Sequence, residues 1–227
     1  MSDVVIGGGK RARRAYGLDE VAIAPSRRTR NWQEVSTGWT IDAYRFDLPF
    51  VAAPMDSVVS PDSAVTLSGL GMLAVLNGEG LWTRYEDPKE LLARIAKADA
   101  DAVGDLLRQA YSAAAVQPTL LADRVAELKA QGVVAAIAVS PHSTAELVPI
   151  AVNAGADLVV IRGSTVSAEH VSTDADPLNL KDFIHRVEVP EIVGGCATYQ
   201  AALHLMRTGA AGVLVGFGGG ATLTKYK

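Results

Sequence analysis

The feature that most constrains this chain is a repeated unit: a helical stretch, a glycine, and a short apolar run without polar alternation that breaks into polar or glycine-rich residues. Gly71 precedes Met72-Leu73-Ala74-Val75-Leu76, Gly132 precedes the run at 133–139, Gly155 precedes Leu158-Val159-Val160-Ile161, and Gly209 precedes Val213-Leu214-Val215. A glycine just past a helix takes the left-handed conformation that ends it. An apolar run with no alternation is a strand buried on both faces, and strands joined by helices run parallel. With the runs at Phe50 and Pro190, six strands are predicted near 50–54, 72–77, 133–139, 157–162, 191–195 and 212–216. Residues 81–131 carry apolar residues at helical spacing (Leu91, Leu92, Ile95, then Leu121, Val125, Leu128) and read as two or three helices without a sheet. Ser60 before Pro61 and Asp62 is a candidate helix cap. Two α/β architectures fit, a doubly wound sheet and a (β/α)8 barrel; small residues within the strands suit the side-chain layers of a barrel interior.

Bulk properties narrow the function classes. The 227 residues suffice for a full hydrophobic core, and 49% of them are hydrophobic at a net charge of −4. That charge gives no general electrostatic case for nucleic acid. The basic stretch Gly7-Gly8-Gly9-Lys10-Arg11-Ala12-Arg13-Arg14 reads as a solvated tail. The single cysteine, Cys196, excludes internal disulfides and zinc clusters and fits a reducing, cytoplasmic compartment. No apolar leader and no run of membrane-spanning length is present in the sequence.

Chemistry is expected where the strands end. After Val213-Leu214-Val215 come four glycines in five positions, Gly216, Gly218, Gly219 and Gly220. Such a stretch lets backbone N–H groups approach a ligand closely, and the C-terminal ends of parallel strands are where α/β proteins place phosphates and cofactors.

The strand-end motifs Ala53-Pro54-Met55-Asp56-Ser57, Gly194-Gly195-Cys196 and Val215-Gly216-Phe217-Gly218-Gly219-Gly220, with Tyr16, Asp19-Glu20-Val21 and Pro25 ahead of them, resemble the IMP dehydrogenase / GMP reductase family. Tyr44-Arg45-Phe46, the stretch at 81–87, Val166-Ser167-Ala168-Glu169-His170 and the stretch at 203–210 are similar to its actinobacterial-type branch, which lacks regulatory CBS domains. The interval from Gly78 to Gly132 is too short for a CBS pair. The resemblance covers residues 1–221 and implies an incomplete (β/α)8 TIM barrel with about six of eight βα units, preceded by a lead-in at 1–49. It implies a purine nucleotide (IMP, GMP or XMP) at the strand ends, NAD or NADP as cofactor, a potassium ion and a homo-tetramer.

Residue by residue, the resemblance implies that Ala53, Met55, Cys196, Gly218 and Gly220 line the nucleotide pocket. It places Asn77, Arg162, Gly163, Ser164 and Gly216 at the dinucleotide, and the carbonyls of Gly218 and Gly220 on the potassium ion. Three departures stand out. The position of the family's nucleophilic cysteine holds Leu223, an aliphatic side chain unable to attack C2 of a purine. Cys196 stands where classical members keep an asparagine, and by itself it reads first as a small buried hydrophobe. Arg162 replaces the carboxylate near the cofactor ribose; it reads either as a phosphate ligand or as a strand-end ion pair. The sequence from Thr222 on no longer follows the family, so the chain is expected to be a truncated product without the last two strands, inactive on IMP and GMP, and binding nucleotide at millimolar strength or not at all. Two other readings remain at this point: a non-catalytic purine-nucleotide-binding or assembly protein of the same fold, and a different phosphate-binding barrel such as a flavin-dependent oxidase.

Overall fold

The computed structural model describes residues 4–12, 16, 20–24, 27–163, 166–167 and 178–216. The chain divides into two units, 37–215 and a smaller one of 1–36 with 216–227. Among its described residues the smaller unit holds an antiparallel pair, β1 (Val4–Ile6) and β2 (Lys10–Ala12), and a 3-10 turn at Trp32–Glu34.

The larger unit opens with an antiparallel hairpin, β3 (Trp39–Ile41) and β4 (Tyr44–Phe46). The repeated units follow: β5 (Val51–Ala52), α1 (Pro61–Gly69), β6 (Leu73–Asn77), a 3-10 turn at Leu81–Thr83, then α2 (Lys89–Ala96), α3 (Ala100–Ala113) and α4 (Pro118–Ala130). After these come β7 (Ala136–Val139), α5 (Thr144–Asn153), β8 (Leu158–Arg162), α6 (Leu180–Ile184), β9 (Glu191–Cys196), α7 (Tyr199–Met206) and β10 (Gly212–Val215). Strands β5 to β10 form one sheet in sequential order with every neighbour parallel, a curled half-barrel. The absence of any reversal in this order sets aside the doubly wound alternative. The interval 81–131 holds three α-helices and no strand.

Local chemistry explains the elements. At α1 the Ser60 hydroxyl accepts from Ser63 N (3.0 Å) and the Ser63 hydroxyl accepts from Ser60 N (2.8 Å), a reciprocal cap completed by Pro61 in the first turn. Gly71, just past α1, has φ +82°, and a Cβ there would sit 2.8 Å from Asp47 Cβ, so both conformation and space demand glycine. Its carbonyl accepts from Leu48 N (3.0 Å), which joins the hairpin exit to the start of β6.

The central strands are buried along both faces, as their unbroken apolar runs require. On one face Leu76, Ile137, Val159, Ile161 and Val193 pack with Leu121, Val125, Leu128, Leu147 and Val148 of the helices. On the other, Leu73, Val75, Ala136, Ala138, Leu158, Val160 and Ile192 pack with Ile41 and Phe46 of the hairpin, flanked by Trp39 and Tyr44. The hairpin therefore covers the inner face, and the compact unit begins at Thr37, ahead of the first barrel strand. Trp39 stacks on Phe46 with ring centroids 4.8 Å apart and donates its Nε1–H to Leu48 O (2.7 Å).

One carboxylate ties these layers together. Asp157 Oδ1 accepts from the Tyr44 hydroxyl (3.1 Å) and Lys129 Nζ (2.7 Å), while Oδ2 accepts from Ala135 N (2.8 Å). The hairpin, α4 and the entries to β7 and β8 thus meet on a single side chain. Asp157→Ala leaves a backbone N–H and a hydroxyl unpartnered and is expected to lower the unfolding free energy by about 2–3 kcal/mol in urea melts. Lys129→Ala, which removes only a half-exposed partner, should cost under about 1 kcal/mol; equal losses would contradict this division.

Glu191 breaks the pattern of β9. It is 3% exposed and its Oε1 has no partner in the structure. Burial raises its carboxyl from 4.5 to about 7. The folded state therefore holds this proton more tightly than the unfolded chain. No penalty exists below pH 4.5; it grows as pH rises and is complete above pH 7. Glu191→Gln should remove a pH-dependent loss of up to about 3 kcal/mol between pH 5 and 8, measured by denaturant unfolding of both proteins. Parallel stability–pH curves would contradict the assignment.

Candidate functional site

All C-terminal ends of a parallel sheet lie on one side, so the ends of β5 to β10 present a single rim of loops. After β5, the loop 53–58 turns back on itself: Met55 N donates to Ala53 O (2.8 Å), and Met55 O accepts from Val58 N (2.8 Å) and Val59 N (2.9 Å). This turn leaves Ala53 exposed and Met55 49% exposed, an apolar, polarisable side chain facing solvent. Asp56, next to it, points the other way: Oδ1 accepts from Leu81 N (3.1 Å) and Oδ2 from the Tyr111 hydroxyl (2.5 Å).

The end of β6 lies beside this loop. Asn77 is half-buried and its Oδ1 accepts from Glu79 N (3.1 Å). A Cβ at Gly80 would collide with Asp56 Oδ1 and lie 3.0 Å from Asn77 Nδ2, so Asp56 and Asn77 flank the same backbone. Glu79 crosses to the end of β7. Its carboxylate accepts from Ser140 N (2.5 Å), the Ser140 hydroxyl (3.0 Å) and the Ser143 hydroxyl (2.5 Å). Arg84 completes the cluster, donating Nε–H to Glu79 O (3.0 Å) and Nη1–H to Tyr111 O (3.0 Å) and Ala114 O (2.5 Å), with its guanidinium 5.0 Å from the Tyr111 ring centroid. Burial and the accepting Asp56 carboxylate push the Tyr111 hydroxyl well above the ordinary tyrosine range.

Further along the rim, Arg162 is the exposed last residue of β8, and Gly163 N donates to Gly194 O (2.9 Å). Gly216 follows β10 with φ +97°, a conformation that suits glycine. Ser164, Gly218, Gly220 and Leu223 lie outside the described residues. Cys196 is 1% exposed; its thiol donates to Leu214 O (3.5 Å), and it belongs to the core between sheet and helices. The structure thus brings Met55 and Asn77 to neighbouring loops on the rim and sets Cys196 apart from them as a small buried hydrophobe. The expectation that Cys196 shares a concave pocket face with Met55 is corrected on this point. Among the described residues no group of three or more His, Cys, Asp or Glu side chains is placed to hold a metal ion.

Six residues at this rim escaped the sequence reading: Asp56, Glu79, Arg84, Tyr111, Ser140 and Ser143. Asp56 and Arg84 stand inside the stretches that carry the family resemblance, so a signal was present. Tyr111 lies within a helical stretch where nothing in the sequence marks it.

A parallel βα sheet with its loops and polar groups gathered at the strand ends defines a class of α/β proteins that place their chemistry on that rim. Comparison with known proteins narrows it. The model of the "IMP dehydrogenase / GMP reductase domain" matches residues 15–226, and the chain belongs to this family. Proteins named uncharacterized oxidoreductase from Mycolicibacterium smegmatis and Mycobacterium tuberculosis are 48% and 49% identical over 219 residues, covering 95% of this chain. A crystal structure of an IMP dehydrogenase/GMP reductase-like protein from Corynebacterium glutamicum superposes with a TM-score of 0.87 at 44% identity, again over 95% of this chain. The chain spans 58% of the length of each of these relatives. No described helix is long and apolar enough to cross a membrane.

The placement of Cys196 gives a direct test. Its modification by a thiol reagent in the native protein should be at least about 100-fold slower than in urea, because reaction waits for opening of the core. Comparable rates would place the thiol at the surface.

Proposed function

We propose that the protein is an oxidoreductase that acts on a purine nucleotide (IMP, GMP or XMP) with NAD or NADP as hydride partner, in guanine nucleotide metabolism. The observation that carries this reading is the placement of Met55, Asn77, Arg162 and Gly163 at the same end of one parallel sheet in a chain of this family. In this reading the exposed Met55 thioether and Ala53 meet the flat purine, since a polarisable sulfur packs well against a ring. The Asn77 amide and the Gly163 backbone face the dinucleotide. The exposed Arg162 guanidinium offers the paired N–H groups that suit a phosphate. Gly216, Ser164, Gly218 and Gly220 are proposed for the same nucleotides, the last two with a potassium ion. The nicotinamide cofactor would accept or deliver the hydride at the purine; the chain's own groups bind and orient.

The position of the only thiol bears on mechanism. Cys196 is buried and bonded to Leu214 O, so it is not free to add to a purine ring. Covalent catalysis needs a thiolate within reach of the reacting carbon. This observation favours a second reading for the chain taken by itself, a purine-nucleotide-binding or assembly protein of the same fold without turnover.

Two measurements test these readings; turnover would favour the first, and purine-selective binding without turnover the second. Absorbance at the NADH maximum, followed with IMP plus NAD and with GMP plus NADPH, should show no turnover by this chain. Calorimetric titration should show binding of IMP or GMP that a pyrimidine nucleotide does not reproduce. Turnover abolished by Cys196→Ala would overturn the assignment of the thiol to the core, and equal heats from purine and pyrimidine nucleotides would overturn the purine reading.

A further inference from the structure

The rim holds a device that the nucleotide reading does not use. Helices α2 and α3 form an arm inserted between β6 and β7, and this arm is scarcely buried: no residue of α2 and only Ala110 of α3 is fully covered. An arm with so little core of its own is placed by its attachments. Besides Leu92, which packs on the core, and the exposed Lys89–Asp62 pair (3.4 Å), those are concentrated at the C-terminal end of α3. The Arg84 guanidinium, itself fixed to Glu79 O at the end of β6, takes the carbonyls of Tyr111 and Ala114, and the Tyr85 hydroxyl donates to Ala110 O (2.7 Å). A cation on the last carbonyls of a helix is favoured by the helix dipole as well as by the hydrogen bonds. The result is a rigidly placed tyrosine whose hydroxyl reaches Asp56 across 55 positions of sequence.

The other side of that bond is the loop 53–58, which is poorly supported. A hollow of about 290 Å³ lies between Asp56, Ser57, Val58, Ser60 and the α2 residues Lys89 and Leu92. Packing supports the loop at its exit, where Val59 is buried in the core, and less so beside the hollow, whose lining has no partner atoms on one side. Besides its own turn and the Ser63 hydroxyl, which donates to Val58 O (3.0 Å), it is held by the Asp56 carboxylate, with one oxygen on Leu81 N and the other on Tyr111. Met55 is the residue immediately before Asp56 in the same turn, so a shift of the carboxylate moves the exposed thioether with it.

We infer that Tyr111 is a positioning residue for the nucleotide-facing loop: through its hydrogen bond to Asp56, the α2–α3 arm sets where Met55 stands. This inference rests on the proposal that Met55 meets the purine. Charge-assisted O–H···O bonds of this kind are about twice as strong as neutral ones, which makes the Tyr111 bond a strong member of the few contacts that hold the loop. Arg84 supports the same function one step back, by holding the helix end that carries Tyr111.

The test uses Tyr111→Phe, which keeps the ring and its place under Arg84 and removes only the hydroxyl, together with Asp56→Asn and the double variant. Hydrogen–deuterium exchange followed by mass spectrometry or NMR reads the amides of Val58 and Val59, which donate to Met55 O, and of Leu81, which donates to Asp56. In Tyr111→Phe these amides should exchange at least about tenfold faster, while amides of β7 and β8 and the urea midpoint stay unchanged. The double variant should add little to Asp56→Asn, which already disturbs the bonds to both Tyr111 and Leu81. Affinity for IMP, titrated calorimetrically on the same proteins, should fall about tenfold without loss of stability, an effect that a purely structural contact would not produce. Unchanged loop exchange in Tyr111→Phe, or acceleration spread evenly over the molecule, would overturn the inference. Faster loop exchange with no IMP binding even by the wild type would support the positioning role of Tyr111 on the loop and refute the purine reading on which its purpose rests.

Discussion

Strands that are apolar at every position must be covered on both faces, and the rest of this structure follows from how that is done. Helices cover one face, as the alternation of helix and strand dictates. The other face is covered by a hairpin that precedes the sheet, through Ile41, Phe46 and the stacked Trp39. Asp157 fastens the arrangement by bonding to Tyr44 of the hairpin, to Lys129 of α4 and to the backbone at Ala135. A half-buried carboxylate with donors on two oxygens is satisfied, whereas Glu191, buried with one oxygen unpartnered, is not. The two acids show that burial of a carboxylate stabilises or destabilises according to its partners.

The same covering has a functional consequence. With one end of the sheet tied to the hairpin and Asp157, the opposite rim carries the loops after the strands. There the polar groups are joined in pairs across strands: Asp56 to Leu81 and Tyr111, Glu79 to Ser140 and Ser143, Gly163 to Gly194. A chain of such bonds around a rim orders the loops together with the buried side chains, Val59, Leu81 and Trp82, that anchor them.

Much of the fold was legible because its signals are local. The glycines at 71, 132, 155 and 209 each carry positive φ just after a helix, as their place before an apolar run suggested. The Ser60 cap and the helical interval 81–131 were readable for the same reason. What stayed hidden depends on distant pairing. The hairpin at 39–46 was placed in a lead-in segment because its burial arises only once Leu73, Val75 and Leu158 are beside it. Cys196 was expected among pocket residues, but the pairing of β9 with β10 shifts register between Leu214 and Val215, so that Val215 stands opposite Cys196. In a regular strand Val193 and Cys196 would face opposite ways; here both enter the helix-side core. Met55, Asn77 and Arg162 were singled out from motif position and do lie at strand ends, whereas Tyr111 could not be singled out, since its meaning lies in a carboxylate on another element.

The central functional claim is that a purine nucleotide is met at the C-terminal rim by the loops after β5 and β6. The most direct test is photoaffinity labelling of the chain with an azido-purine monophosphate, with adducts mapped by peptide mass spectrometry in the presence and absence of excess IMP. Adducts within 53–58 and 77–81 that IMP suppresses are the expected result. Adducts confined to the opposite end of the sheet, near Trp39, Asp157 or Glu191, or labelling that IMP leaves unchanged, would contradict it.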